Sequence, residues 1–298
     1  MSSRNWSDAF RCLYKGASAR SAVRASCVRT GMAKAIIPTI AFMLLVSAAL
    51  ACKVPVFRYA LDRWTGSEYV LKADGDHQLG TANLKLANGK GELFAPFDDT
   101  EPIWTGEVDE KALGTLLNSP QRKEIVKQIL AGASAVWVIV ESGDKKADDE
   151  VFERLNDRLT FFQSVAQLPE IDPDDPASQL GPGPELELKF SILRMKRDDP
   201  REALLVRMLA GPKLDALEAG KPFVAPVFGQ GRVLGAWPAE MMDAEGIEEA
   251  CFFLTGACSC QVKAQNPGWD LLLSADWEKG LLAADQKKKD ATEKEGEK

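Results

Sequence analysis

The side chains best suited to chemistry in this 298-residue chain are three cysteines, Cys251, Cys258 and Cys260. In an oxidising compartment, close thiols favour a structural bridge or a buried cysteine. Cys251 fits the second interpretation, because Phe252 and Leu254 follow it on a predicted helix. A Cys-x-Cys bridge closes a small strained ring, so Cys258 and Cys260 could instead form a reducible dithiol. Two or three thiolates also suit Cu(I). The sequence leaves these interpretations open.

Other residues give little support for catalysis. His77 is the only histidine, which excludes zinc sites with two imidazoles. Asp172, Asp174 and Asp175 lack the glycine and the closing glutamate of a calcium loop, so we expect solvated acids there. The turn at 141–144 is expected to cap a helix. We therefore predict no catalytic residue, no cofactor and no metal site, and a non-enzymatic protein is favoured.

Charge is divided unevenly along the chain. Residues 1–51 carry seven basic side chains and one acid, which leaves 30 Lys+Arg and 43 Asp+Glu in residues 52–298. An acidic body repels phosphate backbones, and no basic stripe with interleaved aromatic residues occurs. The composition therefore argues against a nucleic-acid partner.

An export signal is indicated at the N-terminal end. Residues 35–51 contain no charge, Lys34 precedes them, and Ala49 and Ala51 occupy the positions that a signal peptidase reads. We expect 1–51 to be a signal peptide with an over-long basic region, or with its true start at Met32. An uncleaved membrane anchor is the alternative, although 17 residues interrupted by Pro38 make a short span.

The residues around Cys52 indicate which kind of export signal this is. The segment 47–52, Ser-Ala-Ala-Leu-Ala-Cys, resembles the lipobox of bacterial lipoproteins, with Ala49 where leucine is usual. This resemblance implies that Cys52 is acylated and that the lipid bilayer is a partner. It places the protein in the cell envelope, on the periplasmic face of a bacterial membrane. Plain secretion is the alternative.

The exported part has the pattern of a mixed α/β domain. Ser119-Pro120 predicts a helix start, and the apolar run 135–140 predicts a strand buried on both faces. Further strands are predicted at 69–72, 186–195, 223–228 and 232–237, and further helices at 148–167, 200–209 and 244–254. The spacing of the last two strands, 229–231, predicts a tight hairpin.

This order of elements resembles the topology of thioredoxin-like proteins. The resemblance implies a mixed βαβαβαββα sheet over 69–257, with helices on both faces, extended by insertions and a C-terminal segment. It also implies that Pro226 is the family's cis-proline. The family carries a Cys-x-x-Cys after the central strand, where a helix N-terminus lowers the thiol pKa. Here residues 141–146 contain no cysteine, so the fold would be redox-silent at that place.

The remaining segments complete the expected organisation. We predict an anchor-proximal segment at 52–68, a Cys-x-Cys and aromatic segment at 258–277, and a charged disordered tail at 278–298. Segments 54–61 and 258–263 also resemble uncharacterised bacterial lipoproteins. The favoured function is a membrane-anchored binding or structural lipoprotein with a protein partner. The alternative is a thiol-disulfide oxidoreductase or Cu(I)-binding protein that uses Cys258 and Cys260.

Overall fold

The structure, a computed structural model, describes residues 53–172, 174–258 and 262–296. The predicted signal peptide, the lipidation site Cys52 and the thiol of Cys260 lie outside these ranges. In the ranges described, no helix combines the length and the apolar character needed to span a bilayer.

The described chain alternates helices and short strands. The helices are α1 (Val56–Arg63), α2 (Glu110–Leu117), α3 (Pro120–Leu130), α4 (Lys145–Val165), α5 (Ala203–Ala210), α6 (Asp215–Glu218), α7 (Ala244–Thr255) and α8 (Trp277–Gly296). The strands are β1 (Tyr69–Ala73), β2 (Leu84–Ala87), β3 (Lys90–Phe94), β4 (Trp104–Thr105), β5 (Ala135–Glu141), β6 (Phe190–Lys196), β7 (Phe223–Phe228), β8 (Arg232–Val233), β9 (Trp237–Pro238) and β10 (Trp269–Asp270). The protein is thus a mixed α/β protein.

The larger sheet is built around β5. Its strand order is β10-β8-β7-β5-β6, and β9 pairs with β7. Strand β5 runs parallel to β6 and antiparallel to β7. Every residue from 135 to 140 is fully buried, so the burial predicted from this β-branched apolar run is confirmed.

Helices cover both faces of this sheet. Val136, Val138 and Val140 belong to the core that also contains Ile129 of α3 and Leu209 of α5. The intervening side chains point to the other face, because successive residues of a strand alternate. There the ring of Trp137 meets that of Phe190, and Phe190 also packs against Phe162 of α4. These two layers account for the burial of β5.

A second, four-stranded sheet has the order β2-β1-β3-β4. Strand β1 pairs parallel with β2 and antiparallel with β3. The expectation that 69–72 opens a single βαβαβαββα sheet is therefore corrected. The physical reason is visible in the strand itself: Tyr69, Leu71 and Ala73 are buried, whereas the residues between them are partly exposed. Such alternation is typical of a strand in a sheet that turns only one face toward the core. A central strand of the larger sheet would be covered on both faces.

The prediction of a cis bond before Pro226 is also corrected. The described residues contain no cis peptide bond. Pro226 lies inside β7, opposite Trp137 of β5, and its carbonyl accepts a hydrogen bond from the backbone N–H of Leu234 at 2.9 Å. An extended trans backbone is what continues the pairing of a strand that has neighbours on both sides.

The segment predicted to be a disordered tail forms helix α8 instead. Leu281 is buried against the core, which attaches the helix to the body. The side chain of Asp276 accepts the backbone N–H of Lys279 at 3.0 Å, as an N-terminal cap does. Asp285 pairs with Lys288 and Lys289 one turn later, both at 2.8 Å. The charges that suggested disorder thus lie at the spacing that supports a helix.

A buried ion pair joins the C-terminal segment to the larger sheet. The Arg232 Nη1 atom lies 3.2 Å from Oδ1 of Asp270, and both side chains are almost wholly buried. The same guanidinium donates to the carbonyls of Asn266, Pro267 and Gly268 at 2.8–3.0 Å. Arg232 therefore fixes the turn that leads into β10.

The carboxylate of Asp270 extends this cluster to the smaller sheet. Its Oδ2 accepts the backbone N–H of Ser67 at 2.8 Å and pairs with Lys263. The hydroxyl of Tyr69, in β1, donates to the Asp270 carbonyl at 2.8 Å. One acidic residue thus contacts the chain just before β1, β1 itself and the C-terminal segment.

We expect stability to fall at acid pH partly through Asp270. Burial acts to raise the pKa of this carboxyl, but hydrogen bonds from Lys263 and Ser67 outweigh it and hold the pKa below its ordinary value. A carboxyl with a depressed folded-state pKa contributes stability above its unfolded pKa of about 4, and this contribution is lost as the pH falls toward the folded pKa.

Asp270→Asn should lower the free energy of unfolding at pH 7 by about 1–3 kcal/mol, since charged hydrogen bonds are lost. It should also flatten the decline of that free energy below pH of about 4. Urea unfolding measured from neutral to acid pH checks both effects, with the exposed Asp76→Asn as the matched control. An unchanged pH dependence in Asp270→Asn would contradict this assignment.

Candidate functional site

A polar cleft lies where the parallel strands β5 and β6 end. Binding sites in open α/β sheets favour this carboxyl edge. The cleft has a volume of about 500 Å³. It is lined by Glu141, Ser142, Gly143, Lys145, Asp148, Arg194, Lys196, Arg197 and Asp198. The lining is rich in charge of both signs and contains no cysteine.

Asp148 occupies the centre of the loop that follows β5. Its Oδ1 accepts the backbone N–H of Ser142 at 2.7 Å and the Ser142 hydroxyl at 3.0 Å, and its Oδ2 accepts the N–H of Gly143 at 3.1 Å. The side chain of Asp148 is buried, with 3 % of the residue exposed. Loops of this kind bind anions through their N–H groups. Here the chain's own carboxylate already holds that position.

The backbone N–H groups at the start of α4 are also hydrogen-bonded by an acidic side chain. Asp144 is the N-cap and accepts the backbone N–H of Lys146 at 3.0 Å. The expectation that 141–144 caps a helix is therefore confirmed. Gly143 has φ of +95°, a conformation that favours glycine, and this sharp turn brings the loop back over Asp148. Together the two acids satisfy the N–H groups that would otherwise face a ligand.

Arg194 is the next charged group in the cleft, and it is neutralised by its neighbours. Its Nε lies 2.6 Å from Oε1 of Glu141, and its Nη2 lies 2.9 Å from Oδ1 of Asp149. The guanidinium also stands over the ring of Phe152, 5.2 Å from the centroid. Burial acts to lower the pKa of Arg194, but these carboxylates raise it overall, so the cation is held as a fixed structural pair.

Arg197 is different, because its hydrogen bonding is incomplete. Its Nη2 donates to the carbonyl of Lys221, and the guanidinium lies 5.9 Å from the ring centroid of Phe223. In the part of the chain described, its buried Nε has no acceptor. Burial lowers the pKa of Arg197, against the opposing effect of Asp148. Arg197 and the exposed Lys196 are therefore the cations of the cleft that form no ion pair with a described residue.

The candidate thiols do not lie in this cleft. Cys251 is wholly buried in α7, where burial, and next the charge of Glu248, raise the pKa of its thiol well above the ordinary value. Cys258 is buried as well, and its backbone N–H donates to the carbonyl of Val54 at 2.9 Å. No bond joins Cys251 to Cys258. A thiol that stays protonated is a poor nucleophile and a poor metal ligand.

The other sequence candidates are separate from the cleft and have local roles. His77 is half-buried, with Nε2 3.0 Å from the carbonyl of Asp74 in the same turn. Asp172 accepts the backbone N–H of Asp174 at 3.0 Å and so shapes its own loop. In the three described ranges, no group of three or more His, Cys, Asp or Glu side chains could hold a metal ion.

Sequence reasoning did not identify Asp148, Arg194 or Arg197 as site residues. Each lies near or just beyond the carboxyl end of β5 or β6. That position could have marked them as candidate site residues, because binding sites favour this edge of an open α/β sheet. The basic run 196–197 directly follows the last strand residues, so it could have been noted as an edge feature. The partnership of Asp148 with the loop amides depends on the turn at Gly143 and is not visible in residue spacing alone.

Comparisons with known proteins found no relative of this chain. None of the family models, curated proteins or solved structures compared with the chain matches it. The contacts within the described residues therefore carry the functional argument.

We expect Asp148→Ala to destabilise the fold by about 1–3 kcal/mol, because it leaves buried N–H groups of the β5–α4 loop without an acceptor. Glu150→Ala is the matched control: Glu150 is exposed and makes only a long surface pair with Lys146. Such a pair contributes about 0–1 kcal/mol. Urea unfolding of both variants checks the difference, and equal losses would show that Asp148 does not organise the loop.

Proposed function

We propose that this chain is an exported lipoprotein, anchored by acylated Cys52 at the periplasmic face of a bacterial membrane. Its folded part is a thioredoxin-like domain without thiol chemistry, and it acts by binding or by a structural role toward a protein partner. The observation that carries the proposal is the loop after β5, where Asp148, rather than a cysteine, sits against the N–H groups of Ser142 and Gly143.

The arrangement of the larger sheet supports the thioredoxin-like part of the proposal. Apart from the short elements α6 and β9, the chain runs here in the order β5, α4, β6, α5, β7, β8 and α7. The first two strands are parallel neighbours, and β7 and β8 form an antiparallel hairpin beside β5. This order agrees with the part of the implied βαβαβαββα order that follows its first strand and helix, whereas β1, the expected first strand, belongs to the smaller sheet. The smaller sheet, α8 and the long loop after α4 would then be additions to that core.

The chemistry of the loop supports a binding role over catalysis. In the resembled family a helix N-terminus lowers the pKa of a thiol at this place. Here the corresponding N–H groups are used by Asp144 and Asp148, and the described residues that line the cleft include no cysteine. What remains available is the cleft itself, where Arg197 and the exposed Lys196 present positive charge suited to a carboxylate of a protein partner.

The alternative, a thiol-disulfide or Cu(I) function of Cys258 and Cys260, receives less support. The neighbouring Cys251 is buried and its thiol pKa is raised, so it would not assist as a thiolate. The buried position of Cys258 also restricts access by a substrate disulfide. A structural role for Cys251 and Cys258 agrees better with their burial.

The start of the described body suits a short tether. The N–H of Lys53, the residue after Cys52, donates to the Ser178 hydroxyl at 3.3 Å. The N–H of Val56 donates to the Gly256 carbonyl at 3.0 Å. The body therefore begins directly after the proposed acylation site, which would hold it close to the bilayer.

The purified protein should not catalyse reduction of insulin disulfides by dithiothreitol above the uncatalysed rate, because the two described thiols, Cys251 and Cys258, are buried and the pKa of Cys251 is raised. Turbidity of precipitating insulin B chain measures the rate. Cys258→Ser serves as the decisive variant: a turnover in the wild type that this variant abolishes would refute the redox-silent proposal and favour the oxidoreductase.

Anchoring is tested separately from redox activity. Cys52→Ser should move the protein from the membrane fraction to the soluble periplasmic fraction, since stable anchoring depends on its acyl chains. Cys27→Ser is the control, because this residue lies within the segment that would be removed. If Cys52→Ser remained in the membrane fraction, an uncleaved helix would replace the lipoprotein proposal.

A further inference from the structure

A second groove, on a different part of the molecule, lies between α3 and α8. Its volume is about 600 Å³, within the range of about 300–1,000 Å³ typical of small-molecule sites. Its apolar lining is formed by Leu117, Val126, Leu130, Ala131, Leu273, Ala275, Ala283 and Ala284. None of the residues discussed for the polar cleft takes part in it.

Small residues of α8 keep this groove open. Gly280 lies so close to α3 that an added Cβ would stand 2.7 Å from a methyl carbon of Leu130. Leu281 is buried and attaches the helix, whereas Ala283 and Ala284 line the groove without filling it. The two helices are therefore in contact at Gly280 and leave an unfilled apolar channel beside that contact.

The polar part of the same groove is basic. Arg122, Lys123, Lys127 and Lys287 line it together with a single carboxylate, Asp276. Arg122 is used internally, because its Nη1 and Nη2 donate to the carbonyls of Leu116 and Thr115 at 2.7 Å. Lys127 pairs with Glu124 at 2.9 Å. Lys123 and Lys287 are exposed at the groove, and this positive charge stands out in a body that is acidic overall.

From these features we propose that the α3–α8 groove binds a fatty acid. The hydrocarbon chain lies on Val126, Leu130 and Ala284, and the carboxylate lies beside Lys123 and Lys287. An apolar channel with a lysine-rich margin matches an amphiphile that has one apolar tail and one anionic head. A neutral or cationic amphiphile could bury its apolar tail in the channel but would not form an ion pair with the lysines.

The test is calorimetric titration of the full chain with decanoate, octanoate, decan-1-ol and decyltrimethylammonium. We expect one decanoate per chain, bound about tenfold more tightly than octanoate, because two further methylene groups are buried. The cation should bind at least about tenfold more weakly than decanoate, since it meets the lysines with like charge.

Two variants locate the binding in the groove. Ala284→Trp fills the channel and should weaken decanoate binding at least about tenfold, whereas Ala291→Trp, on an exposed position of the same helix, should not change it. The double variant Lys123→Glu, Lys287→Glu alters only exposed side chains. It should weaken decanoate about tenfold and decan-1-ol less than about twofold, with Lys279→Glu as control.

The proposal is overturned if the wild type does not bind decanoate, or if Ala284→Trp and Ala291→Trp bind it equally. Equal affinity for decanoate and decyltrimethylammonium would also overturn it, as would a heat of self-association in place of one-to-one binding. Circular dichroism melting confirms that the variants compared are folded. These outcomes are independent of anchoring and of thiol activity.

Discussion

The buried pair of Arg232 and Asp270 is the interaction on which the rest of the body depends. Removing two charges from water is costly, and their attraction compensates only when the remaining donors and acceptors are also satisfied. That condition is met here, because Arg232 donates to three carbonyls of the 266–268 turn and Asp270 accepts from Ser67 and pairs with Lys263. The pair thereby joins segments distant in sequence.

This geometry has a consequence for both sheets. β10 pairs with β8 through Arg232 and Asp270 themselves, so the ion pair lies within the edge of the larger sheet. Asn83, just before β2, accepts the N–H of Leu273 at 2.8 Å and donates to the Leu271 carbonyl at 3.0 Å. The C-terminal segment is thus held between the two sheets, and α8 continues from it along α3. The α3–α8 groove depends on that placement.

At the edge of the larger sheet, too, polar groups are hydrogen-bonded by side chains of the protein itself. The carboxyl end of β5 is where an open α/β sheet would present loop N–H groups to a ligand. Asp148 takes up those groups, and Glu141 and Asp149 take up Arg194. The result is a polar surface whose loop N–H groups and Arg194 are held by internal hydrogen bonds. A fixed surface suits recognition of a partner, which is why the proposed role is binding.

Much of the larger sheet could be predicted from sequence, because its signals are local. The β-branched run at 135–140 and the Ser119-Pro120 helix start are properties of a few adjacent residues, and the structure bears out both.

The structural predictions that proved wrong concern segments whose conformation depends on contacts with residues distant in sequence. Strand β1 pairs with β2 and β3, and its Tyr69 hydroxyl contacts Asp270, some two hundred residues later; such contacts are not visible in residues 69–73 alone. The charges of 278–298 indicated disorder until Leu281 and the Asp285 pairs are considered together. Pro226 suggested a family feature, but its pairing within β7 sets its backbone. The loop around Asp148 likewise depends on a turn rather than on residue types.

If the Arg232–Asp270 cluster holds the two sheets together, they should unfold as one cooperative unit. Native-state hydrogen exchange of the β1 amides, compared with those of β5, measures this. We predict that both sets open with the same free energy, equal to that of global unfolding. If the β1 amides exchanged through a separate opening of much lower free energy, the smaller sheet would be an independent unit and the claim would be contradicted.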